Sequence, residues 1–170
     1  MPKLSAGILA YRQKDESIDV FLVHPGGPFY IKKDNGVWSL PKGEYSDNED
    51  ALNAAKREFK EETGHDAPAG EYLVLGEVRY GNKKLVAWAV EGDLDPENIV
   101  SNEFELEWPP KSGIKQKFPE ADRAGWFGPA AAKQKLVSGQ AEYVDRLLEK
   151  LNIDFEEKTT VETPTQPSLF

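Results

Sequence analysis

The sequence predicts a layered domain of the α/β or α+β kind. Three observations carry that expectation. Two runs rich in apolar residues open the chain, at residues 4–12 and 18–24, and read as strands. A helical pattern follows over residues 47–63, and Gly64 closes it. Two further strand-like runs, at 72–79 and 84–90, precede a C-terminal stretch with helical spacing.

The elements follow in order. Residues 4–12 and 18–24 flank a polar turn at 15–17 and make a hairpin. Pro25-Gly26-Gly27-Pro28 breaks regular structure. Residues 29–36 form a loop or short ribbon ending in the turn pair Asn35-Gly36, and 37–40 form a short strand that Pro41 ends. Ser46 with Glu49 three residues later has the capping-box pattern, which starts the helix near Asp47. Leu52, Ala55 and Phe59 give that helix an apolar stripe, while Lys56 and Lys60 face water. Gly81-Asn82 joins the next two strands as a hairpin turn. Residues 93–98 are a turn, and 103–108 alternate strictly as an exposed-edge strand. Residues 109–117 are expected to be a mobile loop, and 118–127 return to the core through Trp126 and Phe127. Pro129 opens a helical region interrupted at Ser138-Gly139. The last helix, 141–151, has Tyr143, Val144, Leu147, Leu148 and Leu151 on its apolar side. Residues 1–154 thus form one domain, and the polar, proline-rich tail 155–170 is expected to be disordered.

Composition bounds the function. A chain of 170 residues is long enough for one core and short for two. With 39% hydrophobic and 30% charged residues it has the balance of a soluble globular protein. The absence of cysteine excludes a disulfide framework and any cysteine-based zinc site. No run approaches the roughly 20 apolar residues of a membrane span, so no membrane partner is expected. No targeting signal is seen, and the cytoplasm is the expected location. A net charge of −9 argues against a nucleic-acid partner, which needs a basic stripe. That charge also opposes a phosphate substrate unless bound metal ions reverse its sign locally.

The densest chemistry lies in Arg57-Glu58-Phe59-Lys60-Glu61-Glu62. Helical spacing puts Glu58, Glu61 and Glu62 on one edge, where three carboxylates repel. A cation on that edge removes the repulsion. Carboxylate oxygens suit hard divalent ions, Mg²⁺ or Mn²⁺ before zinc. The ordinary reading of such a run is a solvated acidic face balanced by Arg57, Lys56 and Lys60.

The wider spacing favours the metal. Gly43, Glu49, Arg57, Glu58, Glu61, Glu62 and Gly64 together resemble the Nudix hydrolase signature, with His65 standing where that family has an aliphatic residue. A chance match at a given start is about one in 10⁸. The resemblance implies an α/β/α sandwich with a mixed sheet between helices. It implies a Mg²⁺-dependent enzyme, with Mn²⁺ as a substitute, in which water attacks phosphorus and a diphosphate linkage of a small nucleotide is split. It assigns metal ligation to Glu58, Glu61, Glu62 and the backbone carbonyl of Lys42, beside Gly43. Arg57 and Glu49 would pair and hold the ligands in position.

The general base is open between Glu62 on the helix edge and Glu120, which would fold over from the loop before Trp126. Glu44 reads as a loop carboxylate, and Glu103, Glu105 and Glu107 as solvated strand residues. Lys32, Lys33, Lys42, Lys83 and Lys84 are candidates to neutralise phosphates, and Tyr30, Trp38 and Tyr80 to stack on a base. His24 and His65 are the only histidines, and a packed or solvated ring is the ordinary reading of each. Residues 38–43, WSLPKG, are similar to the approach to the motif in diadenosine polyphosphate and diphosphoinositol hydrolases. The expected substrate is a dinucleoside polyphosphate or nucleoside triphosphate. The alternatives are an ADP-ribose or sugar-nucleotide hydrolase, and a non-catalytic nucleotide-binding module.

Overall fold

A computed structural model describes residues 3–152. The expected tail therefore lies outside the described residues. Strand β1 (Lys3–Lys14) is the centre of the sheet, and its middle is buried on both faces. It pairs antiparallel with β2 (Ser17–Pro25), as the hairpin pattern predicts, and with the short β3 (Lys42–Glu44). On its other side β1 runs parallel to β5 (Lys83–Glu91), which forms a hairpin with β4 (Leu73–Tyr80) closed by Gly81-Asn82. The far edge is β8 (Ala121–Phe127), antiparallel to β2. The order β4-β5-β1-β2-β8, with β3 on β1, is a mixed sheet of six strands.

Successive strand residues point to opposite faces, and two cores follow. Ile8, Ala10 and Phe21 face α1 (Ala51–Thr63), where they meet Ala54, Ala55 and Phe59. Leu9, Tyr11 and Leu22 face the other way, toward α2 (Pro129–Lys135) and α3 (Glu142–Lys150). Tyr143, Val144, Leu147 and Leu148 of α3 fill that second core. The result is helix, sheet, helix. Phe59 is fully buried beside Phe21, with ring centroids 6.3 Å apart. Burying such a ring contributes about 2–3 kcal/mol, so the apolar stripe anchors the edge that carries the glutamates. Leu52 is only half-buried, and Ala54 and Thr63 take the buried positions that the stripe left open.

Four local expectations are corrected. The helix begins at Ala51 and not near Asp47, because Asp50 is the cap, accepting from the Asn53 N–H at 3.0 Å. Ser46 and Glu49 meet only through backbone, and the Glu49 carboxylate is taken by Arg57. Residues 37–40 make isolated bridges, Val23 to Ser39 and Trp38 to Leu136, and no named strand. The Leu40 N–H is bonded by the Gln140 side chain at 3.0 Å, which holds this segment against the turn before α3. Residues 109–117 are not all loop: β7 (Lys115–Pro119) pairs with β6 (Glu103–Glu107) in a separate ribbon. Glu105 lies opposite Lys117 and Glu107 opposite Lys115, so opposite charges stabilise a pair that has few apolar residues. Residues 118–127 divide accordingly between β7 and β8. Among the described residues no helix is long and apolar enough to cross a membrane.

Candidate active site

A cleft of about 450 Å³ opens where α1, β3 and the start of β1 meet. Glu58, Glu61 and Glu62 line it from α1, and Ser5, Lys42, Gly43 and Glu44 from the strands. Lys83, Asn102, Glu103 and Glu120 complete the wall. The three helix glutamates are thus on one surface, as their spacing requires.

Arg57 organises them. Its guanidinium grips Glu49 with two bonds, Nε to Oε2 and Nη2 to Oε1, each 2.9 Å. Nη1 donates to Glu58 at 2.7 Å and to Glu61 at 3.2 Å. The fork geometry of arginine makes this four-point hold possible. The Glu49 carboxyl is held below the usual carboxylate range by Arg57. The Arg57 guanidinium is raised in turn, chiefly by its bonds to Glu49.

β3 supplies the opposite wall. The Lys42 N–H donates to Glu62 Oε1 at 3.4 Å, a long bond. Gly43 leaves space for the helix: a Cβ there would sit 1.9 Å from Glu58 Oε1. At the end of α1, Gly64 takes a left-handed φ of 80°, and its N–H caps the Lys60 carbonyl. Two more of the last carbonyls are capped from elsewhere: Asn102 N–H donates to Glu61 O at 2.8 Å, and Val100 N–H to Thr63 O at 2.9 Å. Asn102 O then accepts from Glu120 N–H at 2.8 Å. This backbone chain brings Glu120, which connects β7 to β8, into the cleft.

Desolvation raises three of these carboxyls. Glu62 is pushed up to about 8 by burial, against the charge and N–H of Lys42, with Glu120 and Glu58 adding to the rise. Glu62 as a whole is only partly buried, but its carboxyl is crowded at the cleft wall. Glu58 is raised by burial and by Glu61, with Arg57 pulling the other way. Glu120 is raised by burial and then by Glu61.

The donor set fits a hard divalent cation. It offers only oxygens, its carboxyls are raised chiefly by burial, and Gly43 keeps β3 clear of Glu58. Among the described residues no three Asp, Glu or His side chains converge on one point. The reason is visible in the bonds above, since Arg57 draws Glu58 and Glu61 to itself.

Other candidates divide sharply. Lys42 and Lys83 line the cleft, but Lys84 pairs with Glu77 at 3.3 Å, and Lys32 and Lys33 line a different pocket. Tyr30, Trp38 and Tyr80 do not line the cleft. Trp38 is buried, donating to Asp34 at 2.8 Å and packing on Phe127. His24 is fully buried in β2, with Nε2 donating to Lys33 O at 2.7 Å and Nδ1 2.8 Å from Asp122 Oδ1. It is a packed residue and forms no pair with His65. Sequence reasoning missed Ser5 and Asn102, and took Glu103 for a solvated strand residue although it also lines the cleft. Only the position of Glu103 at the start of β6 hinted at this.

The NUDIX domain family model matches residues 1–147. The chain belongs to that family. It is 41% identical over 80 residues to an 8-oxo-(d)GTP phosphatase of Mycolicibacterium smegmatis, covering 43% of this chain and 23% of that protein. The chain thus spans about a quarter of the length of that relative. Its fold is similar to the Ap4A hydrolase of C. elegans, with a TM-score of 0.59 at 18% identity, covering 89% of this chain and 99% of that one. It is also similar to the NUDIX domain of Shewanella oneidensis NrtR in complex with ADP ribose, with a TM-score of 0.59 at 16% identity and 89% of each chain covered.

Proposed function

We propose that this chain is a Mg²⁺-dependent pyrophosphohydrolase that cleaves a diphosphate linkage in nucleoside or dinucleoside polyphosphates. One observation carries the reading: the Glu58, Glu61, Glu62 and Glu120 side chains line one cleft, and burial raises three of them. Structural carboxylates are ordinarily matched by bases, so an undercompensated cluster in a cleft marks a site built for a cation.

Glu58, Glu61, Glu62 and the Lys42 carbonyl would hold Mg²⁺, or Mn²⁺ in its place. When bound, that ion supplies charge stabilisation to the phosphoryl oxygens and activates the attacking water. Arg57, fixed by Glu49, acts as a positioning residue that aligns Glu58 and Glu61. Glu120 is the general base: it is held by backbone at the cleft wall, and a raised carboxyl is a better proton acceptor near neutral pH. Lys42 and Lys83 neutralise phosphates beyond the scissile bond.

The test is turnover of diadenosine tetraphosphate, 8-oxo-dGTP and ADP-ribose with Mg²⁺ and with excess EDTA. The account expects activity to vanish with EDTA, and diadenosine tetraphosphate or the triphosphate to show the higher kcat/KM. Full turnover in EDTA would end the proposal. A preference for ADP-ribose would move the assignment to the sugar-nucleotide reading, and binding without turnover to the non-catalytic one.

A further inference from the structure

Lys32 and Lys33 do not enter the cleft, and their placement points elsewhere. With Arg123 of β8 and Lys135 of α2 they line an open pocket of about 460 Å³, whose remaining wall is Ile31, Asp34 and Trp38. It shares no residue with the catalytic cleft. Four cations stand here against one carboxylate, in a protein whose net charge is −9.

That carboxylate is already committed. Asp34 receives bonds from Lys135 at 2.5 Å and from the Trp38 indole at 2.8 Å. Its carboxyl is lowered by those bonds, and Arg123 contributes only through longer-range attraction. Among the described residues no carboxylate forms an ion pair with Lys32, Lys33 or Arg123. Arg123 lies over the Trp38 ring at 5.5 Å, and Lys33 over the Tyr30 ring at 5.5 Å. Several other exposed bases are matched: Arg12 with Asp19, Lys60 with Asp66, Arg79 with Glu77. The pocket is also braced. The buried His24 holds the Lys33 carbonyl, and Trp38 N–H donates to the Lys135 carbonyl at 3.0 Å.

We propose that this pocket binds the phosphate group of a small phosphorylated ligand through Lys32, Lys33 and Arg123. A phosphate offers several strong acceptors and close to two negative charges, which three unmatched donors suit. A small ligand fits better than a polymer, because the surrounding surface of an acidic protein repels an extended polyanion. The proposal is independent of the catalytic reading.

The test uses the full chain, isotope-labelled, in EDTA so that nothing is turned over. Inorganic phosphate and AMP are titrated separately at fixed ionic strength, following the Trp38 indole N–H and the amides of residues 32–34 by NMR. Saturable shifts at these positions are expected. Lys32→Gln with Arg123→Gln should weaken binding tenfold or more, Lys32→Gln alone should weaken it less, and Lys60→Gln should leave it unchanged. The substituted side chains are exposed, and the spectra report folding directly. Equal affinity for both ligands means that phosphate alone is recognised, whereas tighter AMP binding means that the nucleoside adds contacts; either supports the site. Shifts that never saturate, or equal affinity in the double variant, would overturn it.

Discussion

The backbone N–H of Glu120 donates to the carbonyl of Asn102 at 2.8 Å, and the N–H of Asn102 donates to the carbonyl of Glu61 at 2.8 Å. Two residues far apart in sequence are thus registered by the end of α1 itself. Helix-end carbonyls need partners, and here the partner strand also delivers a carboxylate. Glu120→Gln keeps this backbone link and removes only the proposed proton acceptor. Turnover should fall by roughly 10²- to 10⁴-fold. The melting temperature should hold or rise slightly, since an uncompensated carboxyl near Glu61 is lost. Steady-state kinetics with thermal melting checks both, and unchanged turnover would remove Glu120 from the mechanism.

Arg57→Lys tests the hold on the proposed ligands Glu58 and Glu61. A lysine keeps the charge but cannot grip Glu49 with two bonds while donating to Glu58 and Glu61. Activity or metal affinity should fall by about 10- to 100-fold. Glu49→Gln should produce a similar loss, and the double variant should be little worse than either. Additive losses would show that the two do not act as one unit.

The fold and the helix edge were legible because their causes are local. Phe59, Gly64 and the glutamates sit on one helix, so spacing alone places them. The helix start was misplaced because two cap patterns overlap within residues 46–53: Asp50 is the cap, and Glu49 is taken by Arg57, the pairing that the family resemblance implies. β7 has little apolar alternation of its own, and it forms by pairing with β6, where Phe118 lies opposite Phe104 and its lysines lie opposite glutamates. Glu120 is placed by backbone bonds through Asn102 to Glu61, a link that no local sequence pattern encodes. Lys32 and Lys33 read as phosphate-neutralising candidates, but the fold puts them in a pocket apart from the cleft, where the buried His24 holds the Lys33 carbonyl.

Gly43→Ala separates geometry from fold. The added Cβ meets the end of the flexible Glu58 side chain at 1.9 Å, with no backbone atom among its nearest contacts. Glu58 should therefore swing aside, leaving the melting temperature close to wild type and turnover severely reduced. A large loss of stability with normal specific activity would contradict this.

Glu62 sets a pH dependence. Its folded carboxyl is raised to about 8 from the ordinary 4.5, so the folded metal-free protein binds its proton more tightly than the unfolded chain. The stability from this group is full below the ordinary value and is lost as pH rises through about 8. Mg²⁺ must displace that proton, so its apparent affinity should climb between neutral and alkaline pH. Melting curves with and without Mg²⁺ across that range give both trends. A flat Mg²⁺ affinity would contradict them.

Glu62→Gln, measured for turnover and for Mg²⁺-induced stabilisation in the same preparation, tests the central claim most directly. The amide is nearly isosteric, but it is a poor ligand for a hard cation. The metal-free variant should melt at or slightly above wild type, because the amide does not ionise and so carries no cost of keeping a buried carboxyl protonated. Turnover should fall by orders of magnitude, and added Mg²⁺ should raise the melting temperature less than in wild type. A destabilised variant with near wild-type turnover and an undiminished Mg²⁺ effect would show that the acidic edge of α1 is structural and that the metal-dependent account is wrong.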